Sequence, residues 1–268
     1  MRRLTLLSTT LALMAAAPVT QAAPLKPIRI IMVGDSTMTD KSGYGKGFCA
    51  RFVPEVTCVN AARGGRSSKS YRVEGLWDKI IAQMNDKGTY SATYVWIAFG
   101  HNDGSSKPER HTDINVEFPM NMRGYGKDIV AAGAVPVFVT PLTQRNFRNG
   151  KLRADLLPWA TAIKLEAANG GYMMVDLYDE SQKAVQTMGL KAANRMAGDP
   201  IPQNVLDTED SGTSVPAVFT DASQGTTASH QGFDYTHLGA AGSVYFGKLA
   251  ADLWAKNDTS IRPYLKAD

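Results

Sequence analysis

The 268-residue chain is 44% hydrophobic and 20% charged, a balance that suits one globular domain with a full core. Its formal net charge of +4 comes from dispersed basic residues, so it does not point to a nucleic-acid partner. Two cysteines without Cys-x-x-Cys or His-x-x-x-His spacing give no metal-site pattern.

The chain opens on a leader pattern. Arg2 and Arg3 form a basic start, Leu4 to Ala17 is apolar but short for a bilayer span, and small residues run up to Ala22 and Ala23. The expectation is a signal peptide over 1–22, a single domain over 23–268 and no membrane span. The chain would then be secreted or periplasmic. In such a compartment Cys49 and Cys58, nine positions apart, form either a disulfide or a pair of buried thiols.

Short apolar runs then alternate with longer amphipathic stretches. Strands are expected at Ile28 to Val33, Val56 to Val59, Tyr94 to Phe99, Val135 to Val139 and Tyr172 to Leu177. Helical patterns lie near Gly75 to Met84, Asn121 to Ala132, Leu156 to Ala168, Glu180 to Met188 and Ala240 to Trp254. This alternation predicts an α/β fold, a three-layer, flavodoxin-like arrangement around a five-stranded parallel sheet. From Ala197 to Gly232 the chain is rich in Gly, Ser, Thr, Asp and Pro, and reads as a long loop insertion with a functional role.

Four blocks sit at or near the ends of these elements: Gly34-Asp35-Ser36-Thr37, Asn60 to Ser68, Phe99-Gly100-His101-Asn102-Asp103-Gly104, and Asp234-Tyr235-Thr236-His237. Each supplies a part for acyl transfer. A serine hydroxyl needs a neighbouring base, and His237 is the best candidate, since imidazole titrates nearest neutral pH. Asp234, three residues earlier, is placed to bond the other ring nitrogen and fix the tautomer. Backbone N–H groups of Ser36 and Gly65, with the side-chain amide of Asn102, can face a developing oxyanion. Gly64 is an alternative to Gly65, because the block reads Arg63-Gly64-Gly65. His101 and Asp103 read as loop braces and Asp35 as a structural hydrogen-bonding residue. Without a ligand-spaced pair on one element, a metal held by Asp35, His101, Asp103 and His237 is the weaker reading.

Serine, glycine, asparagine and histidine in separate, ordered blocks resemble the SGNH hydrolases, the GDSL-type esterase superfamily. Gly34-Asp35-Ser36-Thr37, Gly65-Arg66-Ser67-Ser68-Lys69-Ser70-Tyr71 and Phe99 to Asp103 are most similar to rhamnogalacturonan acetylesterases of carbohydrate esterase family 12. The resemblance implies Ser36 as nucleophile, Asp234 and His237 as the rest of the triad, and Ser36, Gly65 and Asn102 as the oxyanion hole. It also implies a serine esterase without a cofactor, acting on an acetylated polysaccharide or oligosaccharide such as pectin, and a monomer is expected. The insertion before Asp234 looks longer than this group's pattern. Arg66 and Tyr71 are candidate substrate-binding residues, with Tyr71 and Trp77 as aromatic edges of a polar groove. The rival readings are an esterase for another acetylated glycan, a lipid ester or a thioester, and a silent glycan-binding module.

Overall fold

The structure, a computed structural model, describes residues 24–216, 218–219 and 230–267. The expected leader at 1–22 and the middle of the 197–232 insertion lie outside the described residues. Strands β1 (Ile28–Gly34), β2 (Val56–Asn60), β3 (Ala92–Ala98), β4 (Val135–Val139) and β5 (Met173–Val175) form one parallel sheet in the order β2-β1-β3-β4-β5. That is the flavodoxin-like order, in which the strand direction of travel reverses beside β1. Around it lie α1 (Gly45–Cys49), α2 (Ser70–Val73), α3 (Leu76–Asn85), α4 (Glu117–Ala131), α5 (Leu157–Gly170), α6 (Leu177–Asn194), α7 (Gln203–Leu206) and α8 (Ala240–Asn257).

β1 is an unbroken apolar run because both of its faces are covered. Successive side chains of a strand point to opposite faces. Ile28, Ile30 and Met32 accordingly join a core with Phe48 of α1, Val185 of α6 and Phe246 and Trp254 of α8. Ile31 and Val33 join the opposite core, with Trp77 and Ile80 of α3, Met122 and Tyr125 of α4 and Ile163 of α5. The one charged residue of β1, Arg29, is buried at its entry end, where it donates to Thr93 Oγ1 and to the Asp86 carbonyl at 2.8 Å.

Several elements differ from the sequence expectation: the strand expected to run to Leu177 ends at Val175, and Leu177 instead opens α6. The pattern near Glu180 to Met188 stops at Gly189, whose φ of +74° breaks the helix before it resumes to Asn194. The described parts of the 197–232 insertion are not plain loop. They hold α7, a 3-10 turn at Glu209–Ser211 and a short hairpin pairing Val218–Phe219 with His230–Gln231. No helix among the described residues is long and apolar enough to cross a membrane.

Cys49 at the end of α1 is bonded to Cys58 of β2. Closing a loop of nine residues limits the unfolded chain by about 2.5 kcal/mol in the loop-entropy picture. Replacing both cysteines with serine is therefore expected to lower the melting temperature by about 5–10 °C, read by calorimetry. An unchanged melting temperature would mean that the bridge contributes nothing to stability.

Candidate active site

Ser36 sits just past the carboxyl end of β1. Gly34 lets that end lie against β3, since a Cβ there would stand 2.6 Å from the Ala98 carbonyl oxygen. Asp35 then caps a 3-10 turn of Ser36–Met38, its Oδ1 accepting from the Thr37 N–H at 2.9 Å and the Thr37 hydroxyl at 2.8 Å. Asp35 is thus occupied as a structural acceptor. The Ser36 N–H stands at the start of this turn, where helical N–H groups have no partner within the turn. Its carbonyl accepts from the Thr39 N–H and hydroxyl and from Ser42 Oγ.

His237 comes from the loop between the insertion and α8. Leu238, next in sequence, is buried in the core, and its N–H donates to the Ser42 carbonyl, only six residues past Ser36. The imidazole Nε2 lies 2.7 Å from Ser36 Oγ, and Nδ1 lies 2.6 Å from Asp234 Oδ2. The other oxygen of Asp234 accepts from the N–H groups of Thr236 at 2.7 Å and His237 at 2.9 Å. These bonds leave Nδ1 as the donor toward the carboxylate and Nε2 as the acceptor from the serine.

The electrostatics follow from the same bonds. Burial pushes the Asp234 carboxyl up, but the donors from His237 and Thr236 outweigh it and hold the group well below the usual carboxylate range. The hydrogen bond to Asp234 raises the His237 imidazole against the opposing effect of its burial, with a further upward push from the Asp234 and Asp35 charges.

The second and third blocks close on the serine from β2 and β3. Arg63 N–H donates to the Gly34 carbonyl at 2.9 Å, bringing Gly64 beside Ser36, so that a Cβ on Gly64 would lie 3.8 Å from Ser36 Cβ. Gly65 follows in the left-handed region, φ +75°. Asn102 directs its side-chain amide to the Arg66 carbonyl at 3.0 Å, a bond that uses one of its two N–H donors and fixes the other. Asp103 is fully buried and staples the blocks together: it accepts from the Gly100 N–H, the Ser68 N–H and hydroxyl, and Thr112 Oγ1. His101 Nε2 bonds the Leu142 carbonyl at 2.9 Å rather than any member of the serine relay.

No family model matches the chain. Among curated proteins, two from Bacillus subtilis are each 30% identical to it. One, described as a probable rhamnogalacturonan acetylesterase, YesY, matches over 57% of this chain and 71% of its own length. The other, the rhamnogalacturonan acetylesterase RhgT, matches over 64% of this chain and 74% of its own. The chain belongs to the rhamnogalacturonan acetylesterase family of SGNH hydrolases. It is an ester-hydrolysing serine hydrolase, a carbohydrate acetylesterase. The fold has solved counterparts in the Bacillus subtilis protein YxiM (TM-score 0.60, 19% identity, 87% of this chain and 57% of that one) and an Enterococcus faecalis lipase/acylhydrolase (TM-score 0.50, 14% identity, 90% and 98%).

One substrate-binding candidate on this acetylesterase, Tyr71, needs correction. Tyr71 is 1% exposed and its hydroxyl donates to the Ala61 carbonyl at 2.8 Å. It belongs to the core with Phe99, as does Trp77, so neither ring edges a groove. Arg66, the other candidate, keeps a partly exposed position, where it donates to Glu74 from Nε and Nη2 at 2.9 and 2.7 Å and to the Gly64 carbonyl at 2.8 Å. Their helical and loop spacing gave no sign of this, because the Ala61 and Glu74 partners depend on how the α2 segment folds back.

The sequence reading missed Arg145 altogether. This acetylesterase buries its guanidinium completely in the segment after β4. Nη2 donates to the carbonyls of Asp234 at 2.9 Å and His237 at 2.7 Å, Nη1 to that of Thr236 at 3.2 Å, and the backbone N–H to that of Tyr235 at 2.8 Å. Four consecutive carbonyls of the fourth block therefore end on one residue. Gln144 adds a bond from its amide to Thr236 Oγ1 at 3.0 Å. Burial draws the Arg145 guanidinium down to about 10, against the pull of Asp234, so it stays charged at neutral pH. Nothing local marks it, since its acceptors lie about ninety positions away in the chain.

Proposed function

We propose that this acetylesterase acts outside the cytoplasm and removes acetyl groups from an acetylated rhamnogalacturonan of the plant cell wall, through an acetyl-enzyme on Ser36. The hydrogen-bonded run Ser36–His237–Asp234 carries the reading. The names of the curated relatives support the substrate class. The leader pattern at 1–22 and the Cys49–Cys58 bridge support export.

In the first half-reaction Ser36 Oγ attacks the acetyl carbonyl carbon while its proton passes to His237 Nε2. The carbonyl π pair moves onto oxygen, which accepts from the N–H groups of Ser36 and Gly65 and from Asn102 Nδ2. Asp234 keeps the imidazolium oriented and stabilises its charge. Collapse breaks the bond to the sugar oxygen, which takes the proton from Nε2 and leaves as a hydroxyl. Water then attacks acetyl-Ser36, gives its proton to Nε2, and the second collapse returns that proton to Ser36 and releases acetate.

Acetate release from acetylated rhamnogalacturonan, acetylated xylan and longer-chain acyl esters tests the reading. Release is expected to be fastest from rhamnogalacturonan; a marked preference for xylan or for long acyl chains overturns it.

The base must be neutral to accept a proton, and its imidazole is raised by Asp234. The acid limb of kcat/KM is therefore expected to lie above the ordinary imidazole value of about 6.5, with activity lost as pH falls through it. Asp234→Asn should move that limb downward in a pH–rate profile. An unmoved limb would show that another group sets it.

A further inference from the structure

Near the serine, Arg110 stands without an acidic partner among the described residues. Arg66, Arg72, Arg123, Arg153 and Arg195 each pair with a carboxylate, Glu74, Asp128, Glu166, Asp155 and Glu209 respectively. Arg110 has no ion pair and no side-chain hydrogen bond among the described residues, although it is half-buried. Its guanidinium lies against Gly65. A Cβ built on that glycine would stand 3.2 Å from Nη2, 3.3 Å from Cζ and 3.4 Å from Nη1, so the group presents a flat face to the backbone. Gly64, the preceding residue, is the one packed beside Ser36.

The arginine is held there by a tied turn. The Arg110 and His111 N–H groups both donate to the Lys107 carbonyl, at 3.0 and 2.9 Å. His111 Nδ1 bonds the Ser105 carbonyl, and Lys69 reaches across from the second block to the carbonyls of Pro108 and His111. Thr112 joins the turn to Asp103 through both its backbone and its hydroxyl. Arg63, exposed on the same rim next to Gly64, likewise has no carboxylate within ion-pair distance among the described residues.

A half-buried guanidinium gains most from a planar acceptor that takes two parallel N–H bonds, which a carboxylate does and a sugar hydroxyl does not. We infer that Arg110 is a specificity residue for the uronate carboxylate of the glycan, clamping an acidic sugar beside Gly65, one residue from the glycine packed against Ser36. Resting on the substrate class proposed above, this assigns the acid recognition to Arg110 instead of Arg66.

The test compares acetylated rhamnogalacturonan oligosaccharides in their free-acid form with the same oligosaccharides methyl-esterified at the uronates. The wild type is expected to prefer the acid form, with a preference that weakens as salt rises. Arg110→Gln should lower the ratio of kcat/KM for acid over ester about tenfold, mainly through KM, with Arg110→Lys intermediate. Circular dichroism on each variant separates this from misfolding. A variant that loses both substrates in equal proportion, or neither, overturns the role of Arg110 and leaves the acetylesterase reading standing. A wild type that releases acetate only from the neutral form also overturns the role of Arg110, whereas one that releases acetate from neither form overturns the substrate class proposed above.

Discussion

Ser36→Ala is expected to leave at most about one part in 10⁴ of wild-type kcat on an aryl acetate, with the fold intact. The magnitude follows from the geometry of the hydroxyl. Ser36 Oγ is the atom 2.7 Å from His237 Nε2, and removing it leaves the base with nothing to deprotonate but water. The backbone around it does not depend on the hydroxyl. Asp35 caps the turn through Thr37, and the Ser36 carbonyl, not its side chain, accepts from Thr39 and Ser42. Residual turnover should come from the oxyanion donors acting on water alone. Kinetics with an active-site titration, beside a thermal melt, checks both halves; near-wild-type turnover in a folded variant would remove Ser36 as the nucleophile.

The second large effect is expected at Arg145, which touches no reacting atom. Arg145→Met keeps the volume and removes the donors, leaving the part-buried carbonyls of Asp234, Thr236 and His237 without that partner. Each orphaned acceptor costs on the order of 1–3 kcal/mol, reduced where water can enter, so a net loss of about 2–4 kcal/mol is expected. The catalytic consequence is separate. Those carbonyls belong to the segment that sets the 2.6 Å contact of His237 with Asp234, and a small displacement of a catalytic group costs about 100-fold in rate. Arg145 also opposes, by its charge, the rise of the imidazole brought about by Asp234 and Asp35. The variant should therefore lose kcat with little change in KM on an aryl acetate, and its acid limb should move upward. Arg145→Lys keeps the charge but not the fork, and is expected to restore the limb before it restores kcat. A loss confined to thermal stability, with kcat and the limb unchanged in the folded fraction, would reduce Arg145 to a purely structural brace.

The sheet was legible because each strand is a compact apolar run between amphipathic segments, and strand periodicity needs no distant partner. Ile28 to Val33 reads as a strand buried on both faces whatever lies beside it. Helix starts were harder: α4 begins at Glu117, four residues before the expected pattern at Asn121, because Phe118 is buried by packing on Trp159. The site divides in the same way. Asp234 and His237 are three residues apart, so their bond is a local matter of one turn of chain, and the serine follows directly from the end of its strand.

What the sequence determined by itself, then, is the set of parts: a doubly covered parallel sheet, a serine at the mouth of β1, and an acid and a base in one short block. What only the tertiary structure decided is which of the remaining polar residues are free to act. Arg66 pairs with Glu74, Tyr71 is buried against Phe99, Arg145 holds four carbonyls of the catalytic block, and Arg110 lies over Gly65 with no ion pair among the described residues. The physical reason is reach. Periodicity and capping act over three or four residues, whereas the partner that satisfies or frees a buried charge is brought in by the fold from tens of residues away, and no local pattern records it.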